Sequence, residues 1–145
     1  SFINGLTGIT AETLKDAPPV EKVIKDFQEF VGSLPMVGYN AAKSDLPILA
    51  EHGLDYSQQY KVDLYDEAFE RRSSDLHGIA NLKLQTVASF LGFQGQSHNS
   101  LEDARMTARV YESFLESDQA RELLETESSL SNNPFGGLDL SQLFD

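Results

Sequence analysis

The sequence predicts an α/β domain in which a short parallel sheet is set in a helix-rich remainder. Three observations lead there. Val20, Val23, Ile24, Phe27, Phe30 and Val31 recur at the i, i+3, i+4, i+7 spacing that gathers apolar side chains on one face of a helix. Two short apolar segments, residues 35–40 and 60–65, have the length of strands rather than helices. A helical stretch follows each, and alternation of strand and helix is the pattern of a parallel sheet.

Taken in order, residues 1–16 begin with a loop, Asn4-Gly5-Leu6-Thr7-Gly8-Ile9-Thr10, and continue into a short helical turn that Thr10 caps. Pro18 and Pro19 restart the chain. Pro19 falls near the first helical position, where a fixed φ and a missing N–H cost nothing, and Gly32 ends the helix that starts at Val20. Residues 35–40 read as a buried strand ending near Asn40. The next helix runs from about Ser44 to His52. Pro47 fits there because it lies in the first turn, and Gly53 supplies the stop.

Residues 60–65 alternate weakly and predict a second strand leading into a helix over 66–72. Asn81 is expected to cap a helix that carries Leu84, Val87, Ala88 and Leu91 on one face and ends at Gly92. After a loop over 93–97, Ser100 is expected to cap a helix with Ala104, Thr107, Ala108, Tyr111, Phe114 and Leu115 facing inward. Asp118 then caps a last amphipathic segment to about Glu127. Residues 128–145 hold Ser, Asn, Gly-Gly and Pro134 but no Lys or Arg, the composition of a flexible acidic tail. The expected organisation is therefore one domain over 1–127 and a tail over 128–145. Two strands are too few for a parallel sheet, so an exposed edge that invites a homodimer is expected as well.

Composition narrows the function. A chain of 145 residues with 40% hydrophobic and 23% charged residues is a folded domain, neither wholly disordered nor collagen-like. Its 11 basic and 23 acidic residues sum to −12, which excludes the broad basic footprint of an architectural nucleic-acid binder. Nucleic-acid contact must then be local or cation-mediated. The absence of cysteine removes disulfide scaffolds, thiolate zinc sites and cysteine nucleophiles, and suits a reducing, cytoplasmic setting. No apolar run approaches membrane-spanning length, and no basic-plus-apolar leader is present. The chain begins Ser1-Phe2-Ile3 without an initiator Met, as a processed or excised chain would.

Two constellations carry candidate chemistry. In His98-Asn99-Ser100-Leu101-Glu102-Asp103, five residues of a straight helix would turn His98 and Asp103 about 140° apart. With the helix starting near Ser100, His98 lies in the preceding loop and Asp103 in the first turn, where the helix dipole favours a carboxylate. Taken alone, a capping Asp103 and a solvent-facing His98 account for the same pattern. The second constellation, residues 37–49, delivers Asp45 beyond the carboxyl end of a buried strand, where ligands gather in open α/β sheets. There too a capping Asp is the simpler reading.

Together these segments resemble the DEDDh family of 3′→5′ exonucleases, and within it the epsilon proofreading subunits of bacterial replicative DNA polymerase. Leu6-Thr7-Gly8-Ile9-Thr10 is similar to the family's LTGIT lead-in to its first long helix, and Val37 to Leu49 to its second motif, V-x-H-N-x-x-F-D-x-x-F-L. Val62-Asp63-Leu64 resembles the strand that follows, the stretch from Leu82 to Gly92 the next helix, and His98 to Asp103 the third motif, H-x-A/S-x-x-D. The departures are four residues between Asn40 and Asp45 where three are usual, Tyr39 in place of His, and Ser44 in place of Phe.

The resemblance implies a ribonuclease H-like exonuclease fold with a two-metal site for Mg²⁺ or Mn²⁺. By it, Asp45 and Asp103 are metal ligands, His98 is the catalytic base, and Thr7, Gly8, Ile9 and Asn40 bind substrate. Carboxylates and a base are what an in-line displacement at phosphorus needs. The family's first motif, D-x-E, supplies two of its four carboxylates, and Ser1–Asp145 holds no counterpart. The expectation is a partial domain without the N-terminal antiparallel strands, binding metal weakly and hydrolysing little. The implied substrate is a single-stranded DNA 3′ end, with RNA the nearest alternative and a non-catalytic protein-binding module the rival. The apolar residues of the tail, Phe135, Leu138, Leu140, Leu143 and Phe144, suit docking to a DNA polymerase or clamp. Lys43, Lys83, Arg105 and Arg109 form either a local basic edge for phosphates or ordinary solvated charge.

Overall fold

The first helix begins sooner than the sequence predicts. In the computed structural model, which describes residues 2–95 and 98–132, α1 spans Phe2–Thr7, where the sequence reads as a loop. The reason is local: the Thr7 hydroxyl donates to Ile3 O at 2.9 Å, Gly8 N–H donates to Asn4 O, and Gly8 takes the left-handed φ of +73° that closes a helix. Helix α2, Ala11–Leu14, carries the expected cap, a reciprocal box in which Thr10 and Thr13 satisfy each other's backbone N–H groups.

Helix α3, Val20–Val31, falls where its pattern places it, whereas strand β1, Met36–Gly38, stops two residues before Asn40 and is not the buried strand expected: Val37 is exposed, because the second strand covers only one of its edges. Helix α4, Asp45–Glu51, starts one residue after Ser44 and carries Pro47 in its first turn. Strand β2, Lys61–Asp63, runs directly into α5, Leu64–Glu70, followed by a 3₁₀ turn over Arg71–Ser73. The two strands pair in parallel, Met36 opposite Lys61, Val37 opposite Val62 and Gly38 opposite Asp63. This is the short parallel sheet in a helix-rich frame that the strand and helix periods predict.

Two caps differ from expectation. Helix α6 spans Leu84–Phe90 with Lys83 at its cap position, while Asn81 accepts from Lys83 N–H at 3.0 Å and closes the turn just before the helix. Helix α7 spans Ser100–Asn132, and the capping oxygen is that of Asn99, which accepts from Leu101 and Glu102 N–H groups at 3.1 and 3.2 Å. Asp118 starts no new helix. Residues 100–132 contain neither Gly nor Pro, so nothing interrupts the ladder, and Asp118 instead accepts from Arg121 one turn on. The helix runs five residues past Glu127, and residues 133–145 lie outside the described residues.

The chain divides into two compact units, Ser1–Tyr111 and Glu112–Asp145. In the first, the core is built by Ile24, Leu46, Leu54, Leu64, Ala68, Leu76, Val87, Ala88, Met106 and Val110. Leu64, Leu76, Val87 and Val110 are fully enclosed. The inward face of α7 in this unit is Met106, Thr107 and Val110, whereas Ala104 and Ala108, expected inside, are exposed. Arg71 is buried too, its guanidinium held by Glu67 and Asp75 one turn away in each direction. In the second unit, the helical residues from Ala120 to Ser131 are exposed on every side.

Gly38 ends β1 where the backbone turns sharply toward the loop that precedes α4. A methyl group there would meet the Ala41 side chain at 2.5 Å, well inside van der Waals contact. The Gly38→Ala variant is expected to lose about 1–3 kcal/mol by overpacking. Thermal denaturation checks this, and adding Ala41→Gly should restore much of the loss.

Candidate functional site

The loop between β1 and α4, residues 39–44, is shaped from both ends. At its start Asn40 adopts φ +57°, a left-handed conformation that Asn tolerates better than most residues because its short amide can bond locally. At its end the Ser44 hydroxyl donates back to Asn40 O at 2.9 Å and reaches the Asp45 carboxylate at 3.2 Å. Asp45 is the first residue of α4, exposed, at the carboxyl end of β1.

The loop is held by a residue that the sequence reads as a strand end or as a support to the site, the strand end being the simpler. Asp63 closes β2 and caps α5, accepting from Tyr65 N–H at 3.1 Å. The same carboxylate accepts from Asn40 N–H at 2.6 Å and from Ala42 N–H at 3.2 Å. Three backbone donors on one anion are charge-assisted bonds in a half-buried place, each stronger than a neutral pair. The pairing of Gly38 with Asp63 across the sheet sets this up, because the next residues of both strands leave the sheet together. Asp63 thus fixes where Asp45 stands relative to β2.

A second tie comes from Tyr39. Its hydroxyl donates to Leu82 O, and its ring meets that of Tyr65 edge to face at 6.2 Å. Partial burial, helped by the neighbouring Tyr65 and Asp63, pushes the Tyr39 phenol well above its usual range. A pKa raised on folding gives stability that is complete below the unfolded value near 10 and is lost as pH rises past it. The melting temperature is therefore expected to fall more steeply between pH 9 and 11 for the parent than for Tyr39→Phe. Equal slopes would remove Tyr39 as the cause.

On the other side of the chain's middle, His98 occupies the turn before α7 with φ +65°, exposed, and Asp103 lies half-buried in the first turn. Asp103 N–H donates to Asn99 O at 2.8 Å, so the helix is already wound when Asp103 is reached. His98 stands outside the helix, exposed, as expected with the helix starting near Ser100. Thr7 ends α1 and Gly8 and Ile9 follow it: Ile9 N–H donates to the Thr7 hydroxyl at 3.2 Å, and Ile9 is about half exposed.

The structure binds Asn40, Ser44 and Asp45 into one loop and ties it to Asp63. Among the described residues no three His, Asp or Glu side chains gather closely enough to hold a metal ion. Asp45, Asp103 and His98 therefore make no metal centre by themselves. No described helix is long and apolar enough to cross a membrane.

Strand, polar loop and helix-start carboxylate are followed along the chain by a loop histidine and a first-turn aspartate. The exonuclease family profile (RNase T) matches residues 1–111, and the chain belongs to that family. Among its relatives is the PolC-type DNA polymerase III of Caldanaerobacter subterraneus subsp. tengcongensis, 31% identical over 117 residues, which are 80% of this chain and 8% of that protein. Another is the DNA polymerase III subunit epsilon of Aquifex aeolicus, 29% identical over 119 residues, 79% of this chain and 56% of the subunit. A PolC-type polymerase of Streptococcus pneumoniae is 32% identical over 126 residues. The matched region thus spans about half of the epsilon relative and under a tenth of the PolC-type ones. No solved structure matches the chain.

Proposed function

We propose that residues 1–145 are part of a 3′→5′ exonuclease that hydrolyses the terminal phosphodiester bond of single-stranded DNA in proofreading or repair in the cytoplasm. The observation that carries the reading is the pair of delivered carboxylates within an exonuclease-family chain. Asp45 is set at the carboxyl end of β1 by the Asp63 clamp, and Asp103 follows a histidine held outside α7. In this reading Asp45 and Asp103 contribute to a Mg²⁺ or Mn²⁺ site whose remaining carboxylates come from outside residues 1–145. His98 takes a proton from the attacking water, and Asn40 with Thr7, Gly8 and Ile9 lines the terminal nucleotide. Residues 1–145 alone are then weak in metal binding and nearly inactive.

The same reading assigns residues 128–145, as a tail beyond a catalytic part over 1–127, to contact with a polymerase or clamp, and the outer edge of the two-stranded sheet to pairing with a second copy. A strict monomer in sedimentation at high concentration would remove the second copy.

The test is mononucleotide release from a 3′-labelled single-stranded DNA oligonucleotide with Mn²⁺. Residues 1–145, the uninterrupted natural polypeptide, and that polypeptide with Asp103→Asn are compared, with an RNA oligonucleotide of the same sequence as a second substrate. Release by the natural polypeptide alone, abolished by Asp103→Asn, is the expected result. Faster release from RNA would overturn the DNA assignment, and no release from either would leave a binding module.

A further inference from the structure

Beside the loop that carries Asn40 lies an open cleft of about 400 Å³, lined by Tyr39, Asn40, Tyr65, Leu82, Lys83 and Leu84. Its walls come from three places in the chain: the exit of β1, the first turn of α5 and the start of α6. The Tyr39–Leu82 hydrogen bond and the Tyr39–Tyr65 ring contact join them, so the cleft is formed before anything binds. Lys43 extends over the Tyr65 ring, its Nζ 5.9 Å from the centroid.

The Asp63 carboxylate lies behind this cleft, bonded to the Asn40 and Tyr65 N–H groups. The net charge is −12, yet none of the six lining side chains is acidic. Lys43 and Lys83 make no ion pair among the described residues. Two ammonium groups, two aromatic rings and an amide around one preformed cleft are the groups that recognise a nucleotide unit, with the base against the rings and the phosphate at the lysines.

We propose that this cleft holds one unpaired nucleotide of a single strand, internal to the end being processed, and so positions that strand on the enzyme. The proposal rests on the exonuclease reading and adds to it a strand-guiding subsite built from Tyr65, Lys83 and Lys43.

The test is binding of an octathymidylate, (dT)8, to ¹⁵N-labelled residues 1–145 in EDTA, followed by NMR and by fluorescence anisotropy across a salt series. Amide shifts are expected at Tyr65, Leu82 and Lys83. Tyr65→Leu is expected to weaken binding about tenfold. Because that variant also removes a ring contact, Lys83→Gln, on an exposed side chain, carries an independent test: it should lower the slope of log K against log salt by about 0.7, the single-strand value for one phosphate contact. Lys25→Gln, at a lysine away from the cleft, should leave the slope unchanged. Shifts confined to residues 98–103, or an unchanged slope in Lys83→Gln and Lys43→Gln alike, would overturn the proposal while leaving an active exonuclease intact. Equal affinity for thymidine monophosphate would overturn the strand assignment in favour of a free nucleotide. Binding at the cleft by a natural polypeptide that releases no nucleotide would sink the exonuclease reading instead.

Discussion

Replacing Asp63 by alanine is expected to lower the melting temperature by about 10 °C. One carboxylate accepts from three backbone N–H groups, those of Asn40, Ala42 and Tyr65. Without it, the Asn40 N–H is left part-buried with no acceptor, and α5 loses its cap. Bonds to a charged acceptor contribute about 1.5–3 kcal/mol each, and a lost cap costs about 1 kcal/mol. The three are not additive, since the loop can relax toward water once released, so about 3 kcal/mol is the expected total. For a chain of 145 residues that corresponds to about 10 °C. Asp63→Asn keeps an oxygen for two of the donors but turns an amide N–H₂ toward the third, and should lose about half as much. Both variants melting within 2 °C of the parent would mean that the clamp does not hold the loop.

The second large effect concerns activity. In the natural polypeptide, removing the His98 imidazole is expected to reduce mononucleotide release by a factor of about 10²–10⁴, the usual loss when a positioned general base is deleted. The choice of replacement matters, because His98 sits at φ +65°. Alanine would add backbone strain of about 1 kcal/mol, whereas asparagine accepts a left-handed turn with little cost. His98→Asn should therefore lose the rate and keep the melting temperature within about 2 °C, as exposed substitutions do. A variant that melts normally and releases nucleotide at the parent rate would remove His98 from the proton-transfer role.

What the sequence makes legible is local. The apolar period of α3, the Thr10 cap and the first-turn place of Pro47 each depend on residues within one or two turns, and each stands where expected. Where two capping residues adjoin, as Asn99 and Ser100 do, composition cannot say whose oxygen reaches the N–H groups, and the structure selects Asn99. Asp118 misled for a related reason: a good capping residue starts a helix only where one has stopped, and no Gly or Pro stops this one. The apolar face of α7 is displaced to Met106 and Val110 because burial is decided by what α7 packs against rather than by its own period.

The ties that shape the candidate site are the least legible of all. Asp63 reaches Asn40 across 23 positions and Tyr39 reaches Leu82 across 43. A strand-ending Asp and a half-buried Tyr are ordinary in any α/β chain. Only the pairing of β1 with β2 turns Asp63 into the holder of a loop, and no spacing rule announces it.

That pairing also sets the order in which the molecule can assemble. Met36 and Lys61 lie 25 positions apart, so the two strands meet only after a long loop has closed, a slow and entropically costly event. The Asp63 carboxylate finds the amides of Asn40 and Ala42 afterwards, when both strands have ended side by side. The loop before Asp45 therefore depends on contacts between distant parts of the chain, whereas each helix is held first by bonds within its own turns.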